Sequence, residues 1–182
     1  MRIIAGKLKG LKLNEFEYGN IRPTIDRVRE AIFSKIQFNI PNATVLDLFG
    51  GTGAISLEFI SRNAGNVYTV DNNPNSIKLI KQNFSKANLR PTLIESDYIK
   101  ALKKLKNNNL QFDIIYLDPP FDSDYAQKSI RIIAEDNLLT DDGLIVYEHL
   151  MDKELDIPPQ LALLDEKKYG TVIVTFLEKN NG

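Results

Sequence analysis

Asp118-Pro119-Pro120-Phe121 closes an apolar run, Ile114 to Leu117, and sets an acid, two rigid rings and an aromatic face side by side. Each proline fixes φ and lacks an N–H, so the backbone there neither continues a helix nor pairs as a central strand, and its carbonyls stay free as acceptors. Asp118 adds a carboxylate acceptor and Phe121 a flat apolar surface. Acceptors beside a stacking ring suit a planar heterocycle with an exocyclic amine, which is what work on a nucleobase requires once the base has left its stack. The same residues would also serve as a plain proline-stiffened loop. What decides between the two lies upstream.

Thr44-Val45-Leu46-Asp47-Leu48 reads as a buried strand, Phe49-Gly50-Gly51-Thr52-Gly53 as a glycine turn, and the stretch with Ile55, Leu57, Phe59 and Ile60 as a helix. Glycines let a backbone approach a ligand closely, and the helix N-terminus offers N–H groups. A second strand, Val67 to Val70, ends in Asp71 and Asn72. An acid about 20 residues past such a loop can accept both hydroxyls of a ribose. The pattern is not a dinucleotide fingerprint, because Ser56 stands at the third glycine position and Asp47 would repel a pyrophosphate. That argues against a nicotinamide-dependent oxidoreductase. An acid before the loop suits a cationic amino-acid moiety instead, such as the ammonium and sulfonium of S-adenosyl-L-methionine. Leu93-Ile94-Glu95 is a short third strand, and Ser96-Asp97-Tyr98 follows the edge at which open α/β sheets bind ligands. Asp97 is there either as an acceptor for an adenine amino group or as a helix cap.

The elements that must hold these residues follow from periodicity. Ile25, Val28, Ile32 and Ile36 recur at helical spacing after Arg22-Pro23-Thr24, with Thr24 as N-cap. The other face carries Arg27 and Arg29 with Asp26 and Glu30, a set that a salt-bridged solvent face would explain. Pro74 to Asn88 reads as a helix, Lys103 to Gln111 as a helix end and exposed loop, Phe112 to Leu117 as the fourth strand, and Tyr125 to Asp136 as its crossover helix. Gly143 to Tyr147 is the fifth strand, followed by Glu148 and by His149, the single histidine, read as a solvated loop residue. Two runs, Leu161 to Leu164 and Thr171 to Leu177, suggest a closing antiparallel hairpin. At the start, Arg2, Lys7, Lys9 and Lys12 precede the first acid, Glu15, with Gly6 and Gly10 between short apolar runs. This is a basic β-hairpin or arm over residues 1–20, either tracking phosphates or merely solvated.

Composition bounds the rest. A chain of 182 residues with 43% hydrophobic content fits one ordinary domain, here residues 21–182, with a small N-terminal appendage. The absence of cysteine removes thiolate metal sites and any Cys nucleophile, and with it ring-carbon methylation through a thiolate. No apolar run approaches the roughly 18 residues of a membrane span, and Met1-Arg2-Ile3-Ile4-Ala5-Gly6 lacks the apolar core of a signal peptide, so a cytoplasmic protein without membrane attachment is expected. A net charge of -1 confines nucleic-acid binding to local asymmetry.

A glycine loop flanked by Asp47 and Asp71, followed by Asp118-Pro119-Pro120-Phe121 after the fourth strand, resembles the class I S-adenosylmethionine-dependent methyltransferases that modify exocyclic amines of nucleobases. Arg2-Ile3-Ile4-Ala5-Gly6, Arg22 through Glu30, and Leu46 through Gly53 are similar to the RsmD family, which methylates guanine N2 in 16S ribosomal RNA, and the likeness spans nearly the whole chain. Gly51 stands where the family usually has alanine, and Ala5-Gly6 where paired glycines are common. The resemblance implies a seven-stranded, mostly parallel Rossmann-like α/β sheet with helices on both faces and an N-terminal β-hairpin extension for RNA. It also implies a cofactor site of Thr24, Arg27, Asp47, Phe49, Gly50, Gly51, Thr52, Gly53, Asp71, Asn72, Asp97 and Tyr98, and RNA contacts from Arg2, Lys7, Lys9, Lys12 and Arg22. Asp118, Pro119, Pro120 and Phe121 would form the catalytic edge. Expected partners are 16S ribosomal RNA or a 30S assembly intermediate, with a monomeric enzyme and no metal. Two rivals remain: an adenine-N6 methyltransferase of DNA or RNA, and a cofactor-binding RNA module without turnover.

Overall fold

The computed structural model describes residues 1–17 and 26–182 in full and residues 23–25 by their backbone. The apolar runs around Val45 and Ile115 become the central strands β1 (Thr44–Asp47) and β4 (Phe112–Leu117). Around them lie β2 (Asn66–Asp71), β3 (Thr92–Glu95), β5 (Leu139–Leu150), β6 (Leu161–Tyr169) and β7 (Val172–Lys179). The sheet order is β3-β2-β1-β4-β5-β7-β6. The first five strands in that order pair in parallel; β7 runs antiparallel to both β5 and β6. The helices are α1 (Pro23–Lys35), α2 (Ala54–Ser61), α3 (Pro74–Lys86), α4 (Tyr98–Asn107) and α5 (Tyr125–Glu135).

Because strand side chains alternate, the central strands feed two cores. Leu46, Ile115, Leu117 and Ile145 meet Leu102 of α4 and Ile130 of α5 on one face. Val45, Ile114, Tyr116 and Val146 meet Ile32 of α1 and Phe59 of α2 on the other. From β1 the chain winds outward through β2 and β3, then returns to place β4 on the other side of β1. A crevice opens at such a reversal, beyond the carboxyl ends of the strands. Asp118 lines it, and Asp47 ends β1 buried beneath it.

Asparagine stops four helices in succession. Asn63, Asn88, Asn109 and Asn137 hold φ of 67°, 56°, 55° and 53° just past the C-caps of α2, α3, α4 and α5. At each, the next residue (Ala64, Leu89, Leu110, Leu138) donates its N–H back to the carbonyl five positions earlier, at 2.9–3.2 Å. This is the left-handed helix stop usually given to glycine, with an apolar residue following to seal it. The asparagines around Asn109 thus end α4, which runs to Asn107, further than the helix end and loop expected from residue 103 onward.

Two other expectations change. α1 already includes Pro23, so Thr24 sits within its first turn rather than at its cap. β5 continues to Leu150 and takes Glu148 and His149 into the sheet. His149 is buried, with Nε2 2.7 Å from the Thr175 hydroxyl of β7. The solvated-loop reading failed because β7 zips along β5 as far as Leu150, pairing His149 with Ile173.

The first residues dock on the fold. Arg2 and Lys12 form an isolated antiparallel bridge, while Ile3 and Leu13 are buried with Ala54, Leu57, Ile80 and Phe84 of α2 and α3. The Ile4 and Ala5 N–H groups donate to the buried Glu58 carboxylate at 3.0 and 3.1 Å, and Lys7 N–H donates to the Ser61 carbonyl at 2.8 Å. At Gly6, φ is 82° and an added Cβ would lie 1.9 Å from the Ser61 carbonyl oxygen, so only glycine allows this approach.

Candidate active site

A cleft of about 420 Å³ lies over the carboxyl ends of β1 to β4. Its floor and sides are set by strand ends: Leu48 and Phe49 after β1, Asp71 to Asn73 after β2, Ser96 to Tyr98 after β3, and Asp118 with Pro120 after β4. Gly51 of the glycine loop, Ser76, Tyr125 and Phe16 complete the wall. Phe49 and Tyr125 stack at 6.3 Å with an interplanar angle of 11°, and Tyr98 leans on Tyr125 at 4.8 Å. These rings give the cleft wall a flat apolar surface.

The glycine loop turns on itself. Gly53 is the N-cap of α2 with φ 81°, and its N–H donates to the Gly50 carbonyl at 2.8 Å. Gly51 N–H donates to Asp71 Oδ2 at 2.9 Å, and Asn73 N–H to Asp71 Oδ1 at 2.8 Å. Asp71 therefore ties the loop to the end of β2 through Oδ2 and fixes its own turn through Oδ1. Each oxygen keeps a second lone pair for a ligand hydroxyl. Asp97 caps α4, accepting from Lys100 N–H at 3.0 Å, and it also lines the cleft.

Several expected site residues stand elsewhere. Asp47 is 1% exposed beneath the loop, where it accepts from the Ser56 hydroxyl at 2.7 Å, and it forms no part of the cleft wall. Burial pushes its carboxyl up to about 7, against the Ser56 hydrogen bonds and with help from Asp71 and Glu148. Gly50, Thr52, Gly53 and Pro119 shape the backbone from behind, and Phe121 projects outside the wall, 49% exposed. Arg27 lies on the exposed side of α1, away from the cleft wall, and Arg2, Lys7, Lys9 and Lys12 are exposed on the docked N-terminal segment. Arg22 and the Thr24 side chain lie outside the described residues.

Asp118 is open to the cleft, yet protein closes around it from below. That crowding, then Glu148, then Asp47, push its carboxyl well above the ordinary carboxylate range. Tyr116, buried on β4, donates its hydroxyl to Glu148. Sequence reading passed over Phe16, Ser76, Tyr125, Tyr116 and Glu148. Ser76 and Tyr125 carry no local signal beyond their nearness to Asn73 and Phe121; the others reach the site through strand register or chain return.

The family whose profile matches residues 1–178 is described as conserved hypothetical protein 95. The chain is 34% identical to "Ribosomal RNA small subunit methyltransferase D" of Haemophilus influenzae, over 94% of this chain and 90% of that one. The chain belongs to this family, the RsmD family. Another relative, from Escherichia coli K12 and bearing the same name, is 31% identical over 94% of this chain and 86% of its own. Among solved structures, "Putative methyltransferase yhhF from Escherichia coli" superposes with a TM-score of 0.86 at 27% identity, covering 100% of this chain and 99% of that one. For an RsmD-family chain the seven-stranded methyltransferase sheet is thus the observed fold, as the resemblance to that family implied. Among the described residues no helix is long and apolar enough to cross a membrane, and no cluster of His, Asp and Glu could hold a metal.

Proposed function

We propose that this RsmD-family chain is an S-adenosylmethionine-dependent methyltransferase that methylates the exocyclic N2 amine of a guanine in small-subunit ribosomal RNA. The observation that carries the reading is the place of Asp118: the acid of Asp-Pro-Pro-Phe lines the same cleft as Asp71, Asp97 and the glycine loop. The cleft suits the cofactor in size and in donor set. Pockets for such ligands run from roughly 300 to 1,000 Å³, mostly apolar with a few placed polar groups. Asp71 would hold the ribose, Asp97 the adenine amine, and Phe49, Tyr98 and Tyr125 the flat faces. When bound there, S-adenosylmethionine supplies a methyl group made electrophilic by its sulfonium.

Guanine N2 is a poor nucleophile because its lone pair is delocalised into the ring. Asp118 and the Pro119 carbonyl would accept from the amine and favour a more tetrahedral nitrogen, while Phe121 stacks the flipped base and aligns it. Positioning and electrostatics then supply most of the rate. An ionised Asp118 also favours guanine, whose N1–H and N2–H donors match two carboxylate oxygens, over adenine, whose single amine neighbours an acceptor. The names borne by the relatives support ribosomal RNA as substrate. We take the enzyme to act as a monomer in the cytoplasm, on 16S rRNA or a 30S assembly intermediate.

The test is transfer from labelled cofactor to 30S particles and to naked RNA under single-turnover conditions, with the modified nucleoside mapped. N2-methylguanosine is expected; N6-methyladenosine would replace this reading with its rival. Asp118→Ala should slow transfer on the order of 10²-fold or more with little change in cofactor affinity. Phe121→Ala should lose base stacking worth about 1–3 kcal/mol. Wild-type transfer by either variant would remove its residue from the reaction.

A further inference from the structure

Asp118 does not stand alone at its strand end. β4 pairs with β5 so that Tyr116 lies opposite Val146 and Leu117 opposite Tyr147. One more step along that register sets Asp118 beside Glu148, and the alternation of the strands turns Tyr116, Asp118 and Glu148 to the same face. The Tyr116 hydroxyl donates to Glu148 Oε1. Asp47 ends β1 opposite Tyr116, so acids from three adjacent strands gather here. From α1 comes Arg29, 3% exposed, whose charge acts on Glu148 while its Nη2 donates to the Arg2 carbonyl at 2.6 Å and to Asp26 at 3.1 Å. On β7 the position paired with Glu148 is the apolar Val174.

We propose that Glu148 is a positioning residue for the transfer step: held by Tyr116 and faced by Arg29, it sets its carboxylate beside Asp118, the group that takes the proton the amine must lose. The inference rests on the amine-methylation reading above. In the transfer a bond forms from the amine nitrogen to the methyl carbon, the carbon–sulfur bond breaks with its pair left on sulfur, and positive charge passes to nitrogen. The nitrogen then sheds one proton to Asp118, which yields it to water as product leaves. The groups around the pair fit this role. Burial raises Glu148 while Tyr116 and Arg29 restrain it, and Glu148 in turn raises Asp118. Two carboxyls so placed titrate as a pair.

The test is the pH dependence of single-turnover methylation of unmethylated 30S particles by the full chain and by Glu148→Gln. Transfer requires ionised Asp118, so the wild-type rate should climb along an acid limb set by the pair. Removing the neighbouring charge lowers the pKa of Asp118, so the limb should move to lower pH by about one unit or more. The plateau should fall on the order of 10-fold, because a weaker base takes the proton. Glu148→Asp should return the limb toward its wild-type position. Limb position does not depend on the fraction of folded enzyme, so partial misfolding cannot imitate the shift. A lower plateau with an unmoved limb, or a wild-type rate without an acid limb, would overturn the inference. The wild-type product reports separately on the base: a different methylated amine with a shifted limb would replace guanine and support the role of Glu148.

Discussion

Asp47 shows how one residue changes meaning once it is placed. Its position before a glycine loop suggested a charge facing a cationic ligand, but the fold puts it under the loop, with its carboxyl raised to about 7. Between about pH 4 and 7 the folded state therefore binds more protons at this site than the unfolded chain does, and stability falls as pH rises through that window. Asp47→Asn keeps an oxygen for Ser56 and removes the charge. It should flatten this slope and raise stability at pH 8 by on the order of 1–4 kcal/mol, as read by denaturant unfolding across pH. A slope identical to wild type would show that Asp47 ionises without cost. The Gly51 and Asn73 N–H groups already bond the oxygens of Asp71, which we propose also holds the cofactor ribose. Asp71→Ala strands those donors at about 1–3 kcal/mol each, so it should lower both the melting temperature and the cofactor affinity measured by calorimetry. A folded variant that binds cofactor normally would leave Asp71 a loop clamp only.

Among the elements, the N-terminal segment and α2 are one unit through Glu58. This fully buried carboxylate accepts from Ile4 and Ala5 and pairs with Arg62 at 3.1 Å. Asn83 of α3 adds a second tie, accepting from Asn14 N–H at 2.7 Å and donating to the Thr52 carbonyl of the glycine loop at 2.8 Å. The path from N-terminus to glycine loop thus runs through polar groups that must all be satisfied. Glu58→Ala would strand two backbone donors and should cost about 2–4 kcal/mol, or about 2–4 °C of melting temperature for each kcal/mol. Limited proteolysis should then cut within residues 1–13 before the core; equal resistance in variant and wild type would mean that Ile3 and Leu13 hold the segment unaided.

For the molecule as a whole, a net charge of -1 leaves RNA affinity to the distribution of charge rather than its sum. Lys7, Lys9 and Lys12 are exposed on a segment whose backbone is pinned, so they form a fixed surface rather than a loose tether. Neutralising all three should weaken RNA binding and flatten its salt dependence by roughly 0.7–0.9 log units for each phosphate they no longer neutralise, with cofactor affinity intact. A filter-binding series over salt concentration measures this; an unchanged slope would leave these lysines merely solvated.

The features legible in the chain alone are local ones. The apolar runs at Val45 and Ile115, the glycine turn ending at Gly53 and the breaking prolines at Pro119 and Pro120 depend on neighbours a few residues away, and strand, turn and strand end lie where those residues place them. Asp71 and Asp97 were legible because a parallel sheet delivers every strand end to one edge. Long-range placement was settled by the folded sheet instead. Phe16 reaches the cleft because the N-terminal segment folds back across α3, and His149 is buried because β7 extends along β5. Glu148 meets Tyr116 across 32 residues because parallel pairing fixes the register of β4 and β5. Such meetings depend on strand order and register, which arise from the packing of the whole sheet and leave no periodic trace in the chain.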